Sequence, residues 1–291
     1  MSPNPPPTVS VLLPRRAICG EGPYWHAASG TVLWVDNERG EILRTDPATL
    51  DTAVTVYPPG IGAAAPREAG GLIAATSTGF VGLADDGTVT HRVDCLADGI
   101  RMNDAKADPA GIYWSGSCAL DFAAGKGGLW RLDANWRAEQ VLEGFALPNG
   151  LGWSPDGRTF YLVDSMARTI FSYPFDPETS TLTPTPSVLV GPEAFAALPD
   201  GLAVDVRGRL WVAEYGGGAL HEFAPDGTRM QTITVPTAQP TSCAFVGPER
   251  DQLWVTSAAN GLDENAEPLA GNVFLVTGHG TSGLPVASFR G

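Results

Sequence analysis

Four polar residues stand at nearly constant distances ahead of a recurring apolar strand. Glu21 lies thirteen residues before Trp34 and Asn149 thirteen before Leu162, while Asp200 lies eleven before Trp211 and Asn103 eleven before Trp114. Offsets that differ by two preserve side-chain facing in a strand. If the apolar anchors are equivalent, the polar residues reach one common level, just before the strand nearest the axis of a closed ring, and meet at one channel mouth. Two carboxylates and two carboxamides, with no Cys or His among them, suit a hard divalent cation, Ca²⁺ ahead of Mg²⁺ or Mn²⁺. Without a cation the carboxylates repel and one tends to hold a proton. Singly, each residue has a plainer reading: Pro148-Asn-Gly150 and Pro199-Asp-Gly201 are turn chemistry, and Glu21 could simply be solvated. The convergence gives them weight. Arg101, two residues before Asn103, would offer a fixed cationic fork to carbonyl or hydroxyl oxygens if it points into the channel.

The elements that must position these residues are short strands. Thr31–Val35, Gly111–Ser115, Thr159–Val163, Arg209–Ala213 and Gln252–Thr256 are runs of β-branched and aromatic residues, which favour a pleated, half-buried surface. Turn signals such as Asp86-Gly87, Pro155-Asp-Gly157 and Pro225-Asp-Gly227 punctuate the chain, and long amphipathic helical patterns are missing. Trp34, Ile73, Trp114, Leu162, Trp211 and Trp254 recur at gaps of 39, 41, 48, 49 and 43 residues. Each gap holds about four short strands, the period of a propeller blade. The expectation is therefore all-β: a six-bladed β-propeller, residues 8–291, with the anchors on its inner strands and a metal site in the central channel. Thr8–Leu13 is expected to pair with the last blade and close the ring, and residues 1–7 to form an extended tail. The anchor tryptophans read as core packing between blades.

Composition narrows the partners. The 291 residues carry 18 Lys+Arg against 32 Asp+Glu, a formal net charge of −14. That excess argues against nucleic acid or an anionic membrane as partner. No apolar run reaches the length of a membrane span, and the start lacks the pattern of a signal peptide. Cys19, Cys95, Cys118 and Cys243 are scattered, with no C-x-x-C pair, and read as reduced fillers in a cytoplasmic protein. A serine-hydrolase G-x-S-x-G elbow, a phosphate-binding loop and a D-x-D-x-D-G calcium loop are all missing, and the four histidines show no paired ligand spacing.

These residues carry a resemblance. Gly20-Glu-Gly-Pro-Tyr-Trp25, Arg101-Met-Asn-Asp104 with Asp108-Pro109, Asn149-Gly-Leu-Gly-Trp-Ser154, Pro199-Asp-Gly-Leu202, Leu210-Trp-Val-Ala213 with Tyr215-Gly-Gly217, Thr241-Ser-Cys243 and Ala270-Gly-Asn-Val-Phe274 occur in this order. Over about Gly20 to Gly278 the chain resembles the gluconolactonase, senescence-marker-protein-30 and luciferin-regenerating-enzyme family. The resemblance implies a six-bladed propeller holding one divalent cation, Ca²⁺ favoured, with Zn²⁺, Mn²⁺ or Mg²⁺ as alternatives. It implies Glu21, Asn149 and Asp200 as metal ligands and Arg101, Asn103 and Asp121 as substrate-binding residues. Ser117-Cys118 and the Gly/Ala-rich stretch 123–128 depart from the commoner family pattern and bear on the substrate. Asp104 reads as structural, a turn former or a support for its neighbours.

The functional expectation is a metal-dependent lactonase opening a sugar lactone or a similar small cyclic ester. The cation would stabilise charge on the carbonyl oxygen, and Asp200 would orient the attacking water and take its proton. The alternatives are a non-catalytic calcium-binding or interaction propeller, and a family hydrolase acting on a different ester or phosphoester.

Overall fold

The computed structural model describes residues 6–58 and 60–291. Of the expected tail, residues 1–5 lie outside the described residues. The described chain forms six antiparallel sheets arranged as the blades of a propeller. The first strands of the blades run Gly20–His26, Ala63–Pro66, Ile100–Ala107, Pro148–Trp153, Leu198–Val204 and Pro240–Val246. These first strands lie against one another from blade to blade and so line the axis. The second strands are Thr31–Asp36, Leu72–Ala75, Tyr113–Ala119, Thr159–Asp164, Leu210–Tyr215 and Gln252–Ser257.

The expected closure is present. Thr8–Leu13 pairs antiparallel with Val273–Thr277, the third strand of the last blade, with Thr8 opposite Thr277 and Val11 opposite Phe274. The chain's first strand thus completes its last sheet and covers an edge that would otherwise offer unpaired backbone groups. The fourth blade departs from the four-strand pattern. Its outer strand is split into Thr181–Leu182 and Ser187–Val190, both paired with Thr169–Asp176. Pro184 and Pro186 fall in the gap, where they cannot donate to a ladder.

All six anchors lie on second strands, one step out from the axis, and not on the innermost strands. They are also not strictly equivalent. Trp34 and Leu162 stand two residues before the end of their strands' pairing with the first strand, at Asp36 and Asp164. Asp36 and Asp164 pair with the residues just before Glu21 and Asn149; the residue paired just before Asp200 is Glu214, and Trp211 stands three before it. Neighbouring positions on a strand face opposite sides of the blade. Facing anchors therefore interlock across blade gaps: Trp34 shares a buried cluster with Trp254, and Trp114 shares one with Leu162, Trp153 and Phe160. Trp34, Trp114, Trp211 and Trp254 are all fully buried, which confirms their reading as packing residues.

Removing residues 1–13 should lower the thermal midpoint and promote self-association, because Val273–Thr277 becomes an exposed edge. Differential scanning calorimetry with light scattering checks this. An unchanged midpoint in a monomeric sample would show that the closing strand is dispensable.

Candidate functional site

The site is built at the start of the first strands. In the first, third, fourth and fifth blades the pairing of first and second strands slips by one residue at the polar position. The slips lie between Glu21 and Tyr24, Met102 and Ala105, Pro148 and Leu151, and Pro199 and Leu202. Such a bulge bends the strand and re-aims a side chain. The Asn-Gly and Asp-Gly pairs are therefore not turns. Their glycines permit close approach of adjacent first strands: a Cβ on Gly150 would fall 2.5 Å from the Asp200 carbonyl oxygen, and one on Gly201 would strike the Ser242 side chain.

Glu21 and Asp200 are brought together. Burial, then the nearby Asp104 charge, pushes the Glu21 carboxyl up from its ordinary 4.5 to about 8, with Arg101 pulling the other way. Asp200 is held well above the usual carboxylate range by burial, by Glu21 and by Asp104, against the opposing pull of Arg101. Asp200 is 5% exposed, and its Oδ1 has no hydrogen-bond partner among the described residues. An orphaned carboxylate oxygen in a buried site calls for a ligand. Asn149, also buried, donates through Nδ2 to Ser165 Oγ at 3.1 Å, which leaves its carbonyl oxygen available.

Arg101 and Asn103 form a pair beside these acids. Arg101 Nη1 donates to Asn103 Oδ1 at 2.7 Å and to the Met102 carbonyl at 3.1 Å, and Asn103 Nδ2 donates to the Pro148 carbonyl at 2.9 Å. The guanidinium lies 5.9 Å from the Phe122 ring. Arg101 is thus half-buried at the channel and not an outward surface residue. Asp121 sits apart on the exposed rim loop, where its Oδ1 accepts the Ala123 N–H at 3.1 Å. On that loop it is Phe122 that approaches Arg101.

Two further charges share the channel. Asp104 is buried, accepts the Ala105 N–H at 2.7 Å, and is raised by burial against the pull of Lys106. Lys106, a residue that the spacing argument passes over, donates to the Leu202 carbonyl at 2.9 Å, and burial lowers its pKa. The signal for both was available: Asp104 and Lys106 follow Asn103 on the same inner strand. A cavity of about 320 Å³ opens at the other end of the first strands, between Trp153, Phe245 and the segment Gly283–Ala287. It lacks the acid–amide set.

A divalent cation fits the near end. Among the described residues no group of three His, Cys, Asp or Glu side chains is placed to hold one. The set here has two carboxylates and takes its third oxygen from a carboxamide. Repulsion between half-buried Glu21 and buried Asp200, and the unpartnered Asp200 Oδ1, are what a hard cation with all-oxygen donors would relieve.

Residues 19–259 match the family described as the SMP-30/Gluconolactonase/LRE-like region. The chain belongs to this family. Regucalcin of Oryctolagus cuniculus is 33% identical over 97% of this chain and 98% of that protein. A pentonolactonase of Haloferax volcanii is 36% identical over 89% of this chain and 88% of its own length. The solved structure of a calcium-binding protein, regucalcin, from Agrobacterium tumefaciens superposes with a TM-score of 0.91 at 28% identity, covering 96% of both chains. The family membership and the six-bladed fold agree with what the motif order implied. No helix among the described residues is long and apolar enough to cross a membrane.

The raised carboxyls set a pH dependence. Glu21 ionises near 4.5 when the chain is unfolded and near 8 when it is folded without a cation. Its contribution to stability is full below about 4.5 and is lost as pH rises toward 8. In chelator, the wild type should lose thermal stability relative to Glu21→Gln as pH is raised across that window. Parallel midpoints for the two proteins would contradict the enclosure of Glu21 beside Asp104.

Proposed function

We propose that this chain is a divalent-cation-dependent lactonase that opens small polyhydroxylated lactones. The observation that carries the reading is the convergence of Glu21 and the orphaned Asp200 Oδ1 beside the Arg101–Asn103 pair. A relative named as a pentonolactonase and a solved structure named as a calcium-binding protein support the two halves of it. Glu21, Asn149 and Asp200 would hold the cation, Ca²⁺ favoured. When bound, that ion supplies charge stabilisation for the carbonyl oxygen as the ester is attacked. Four free cysteines, two of them buried, suit a cytoplasmic location.

The chain's own residues supply the rest. Asp200 orients the attacking water and takes its proton. As the water oxygen bonds to the carbonyl carbon, the ring C–O bond breaks, and the leaving oxygen receives a proton. Arg101 keeps donors free beyond those spent on Asn103 and Met102 and offers them to the carbonyl or hydroxyl oxygens of the lactone. Asn103, pinned between Arg101 and the Pro148 carbonyl, holds that fork in place and has one N–H left to donate. A propeller that only binds cations would use the three oxygen donors and leave this pair with no ligand to orient.

The deciding experiment is hydrolysis of a panel of aldonolactones with chelated and cation-reloaded protein. Activity should vanish on chelation and return with a divalent ion, and full turnover in demonstrably cation-free protein would overturn the reading. Asp200→Asn should lower turnover about 10²–10⁴-fold even at full cation occupancy. Near-wild-type turnover at full occupancy would remove Asp200 as the base. Arg101→Ala should lower kcat/KM about 10–100-fold with cation content unchanged. Unaltered kinetics would return Arg101 to a structural role.

A further inference from the structure

A second set of carboxylates stands behind the first. Asp36, Asp164 and Glu214 occupy the far ends of the second strands in the first, fourth and fifth blades, and all three are buried. Each pairs with the residue just before a proposed ligand: Asp36 with Gly20, Asp164 with Pro148, Glu214 with Pro199. Each also accepts backbone N–H groups two or three residues before that ligand. Asp36 takes Ile18 at 2.9 Å and Cys19 at 3.2 Å. Asp164 takes Ala146 and Leu147, both at 3.1 Å. Glu214 Oε1 takes Ala197 at 2.8 Å. The acceptors are fixed in turn. Arg39 donates to Asp36 at 3.0 Å, and His221 Nε2 meets Glu214 Oε2 at 2.9 Å.

Among the described residues the other three blades lack this device. Ser117 pairs with Met102, just before Asn103, and Ser257 pairs with Pro240. Thr76 follows the second strand of the second blade. Their hydroxyls donate forward, to the carbonyls of Gly128, Asn272 and Gly79, and bind no N–H of the segment leading into their own first strand. A general device for capping strands would recur in every blade. Carboxylate clamps instead coincide with the three blades that carry Glu21, Asn149 and Asp200.

We propose that Asp36, Asp164 and Glu214 are positioning residues for the cation site. The inference rests on the reading that Glu21, Asn149 and Asp200 are the ligands. Repulsion between Glu21 and Asp200 would drive the segments that lead into their bulged strands apart. Charge-assisted bonds to successive N–H groups oppose that splaying and hold the three oxygens convergent before an ion arrives. Removing a clamp therefore leaves the ligands present but misdirected.

Isothermal titration with Ca²⁺, followed by Mn²⁺ and Zn²⁺, tests this on the full chain. Asp164→Ala, Asp36→Asn and Glu214→Gln should each weaken binding about 10–100-fold, the usual loss when a group orienting a metal ligand is removed. Ser257→Ala, the matched change in a blade without a ligand, should leave affinity unchanged. Thermal midpoints in chelator are read alongside. If the clamps are merely structural, midpoints fall while affinity stays at the wild-type value, and the proposal is overturned. Should Asp164→Ala fail to fold, the near-isosteric Asp36→Asn and Glu214→Gln decide. Glu21→Gln and Asp200→Asn separate the two levels. If both bind like the wild type, or if the wild type binds none of the three ions, the ligand reading falls. If only these two lose affinity and the clamp variants keep it, the positioning proposal alone falls.

Discussion

Closing the ring forces Glu21 and Asp200 to share one buried end of the channel, and the rest of the site answers that constraint. Two carboxylates removed from water and set near one another cannot both stay ionised unless positive charge is supplied. Arg101 supplies part of it, and its pull on both acids is opposed by Asp104. The balance left over is a pair of carboxyls that both hold a proton more tightly than ordinary ones. A cation held there would discharge the same repulsion, in competition with the proton. That competition is a direct consequence of placing acids on the innermost strands of neighbouring blades.

The fold makes this arrangement rigid. The bulges turn the polar residues toward the axis, and Gly150 and Gly201 let adjacent first strands approach closely enough to bring them together. Interlocked tryptophans between blades resist the relaxation that repulsion would otherwise drive. Thr8–Leu13 ties the last blade to the start of the chain, so the first and sixth blades cannot drift apart and carry Glu21 away from Asp200.

Much of this was legible from residue types and spacing. The blade period, the closing strand and the convergence of Glu21 with Asp200 all follow from where strand-forming runs and turns recur. The anchors were misplaced by one strand, because a repeat period locates an element within a blade but not its distance from the axis. Their one-residue inequivalence was hidden for a related reason: counting along the chain cannot separate the extra residue of a bulge from a longer hairpin. Asp121 has a family match but sits on a rim loop, whose path depends on the local Gly/Ala-rich sequence and on no repeat. Lys106 was passed over because an isolated lysine on a strand looks solvated until the ring closes around it. Asp36, Asp164 and Glu214 do have a signal, an acid at or one residue before the end of each of the runs Thr31–Asp36, Thr159–Asp164 and Leu210–Tyr215. Its meaning appears only when backbone N–H groups from a distant segment are seen to meet it.

The central claim is that one cation binds among Glu21, Asn149 and Asp200. A crystal structure of the Ca²⁺-loaded protein, with the ion located by anomalous scattering, tests it most directly. The account predicts a single strong site with oxygens of these three residues at about 2.3–2.6 Å and Asp200 Oδ1 no longer orphaned. An ion bound elsewhere, with Glu21 and Asp200 still sharing a proton and no density between them, would contradict it.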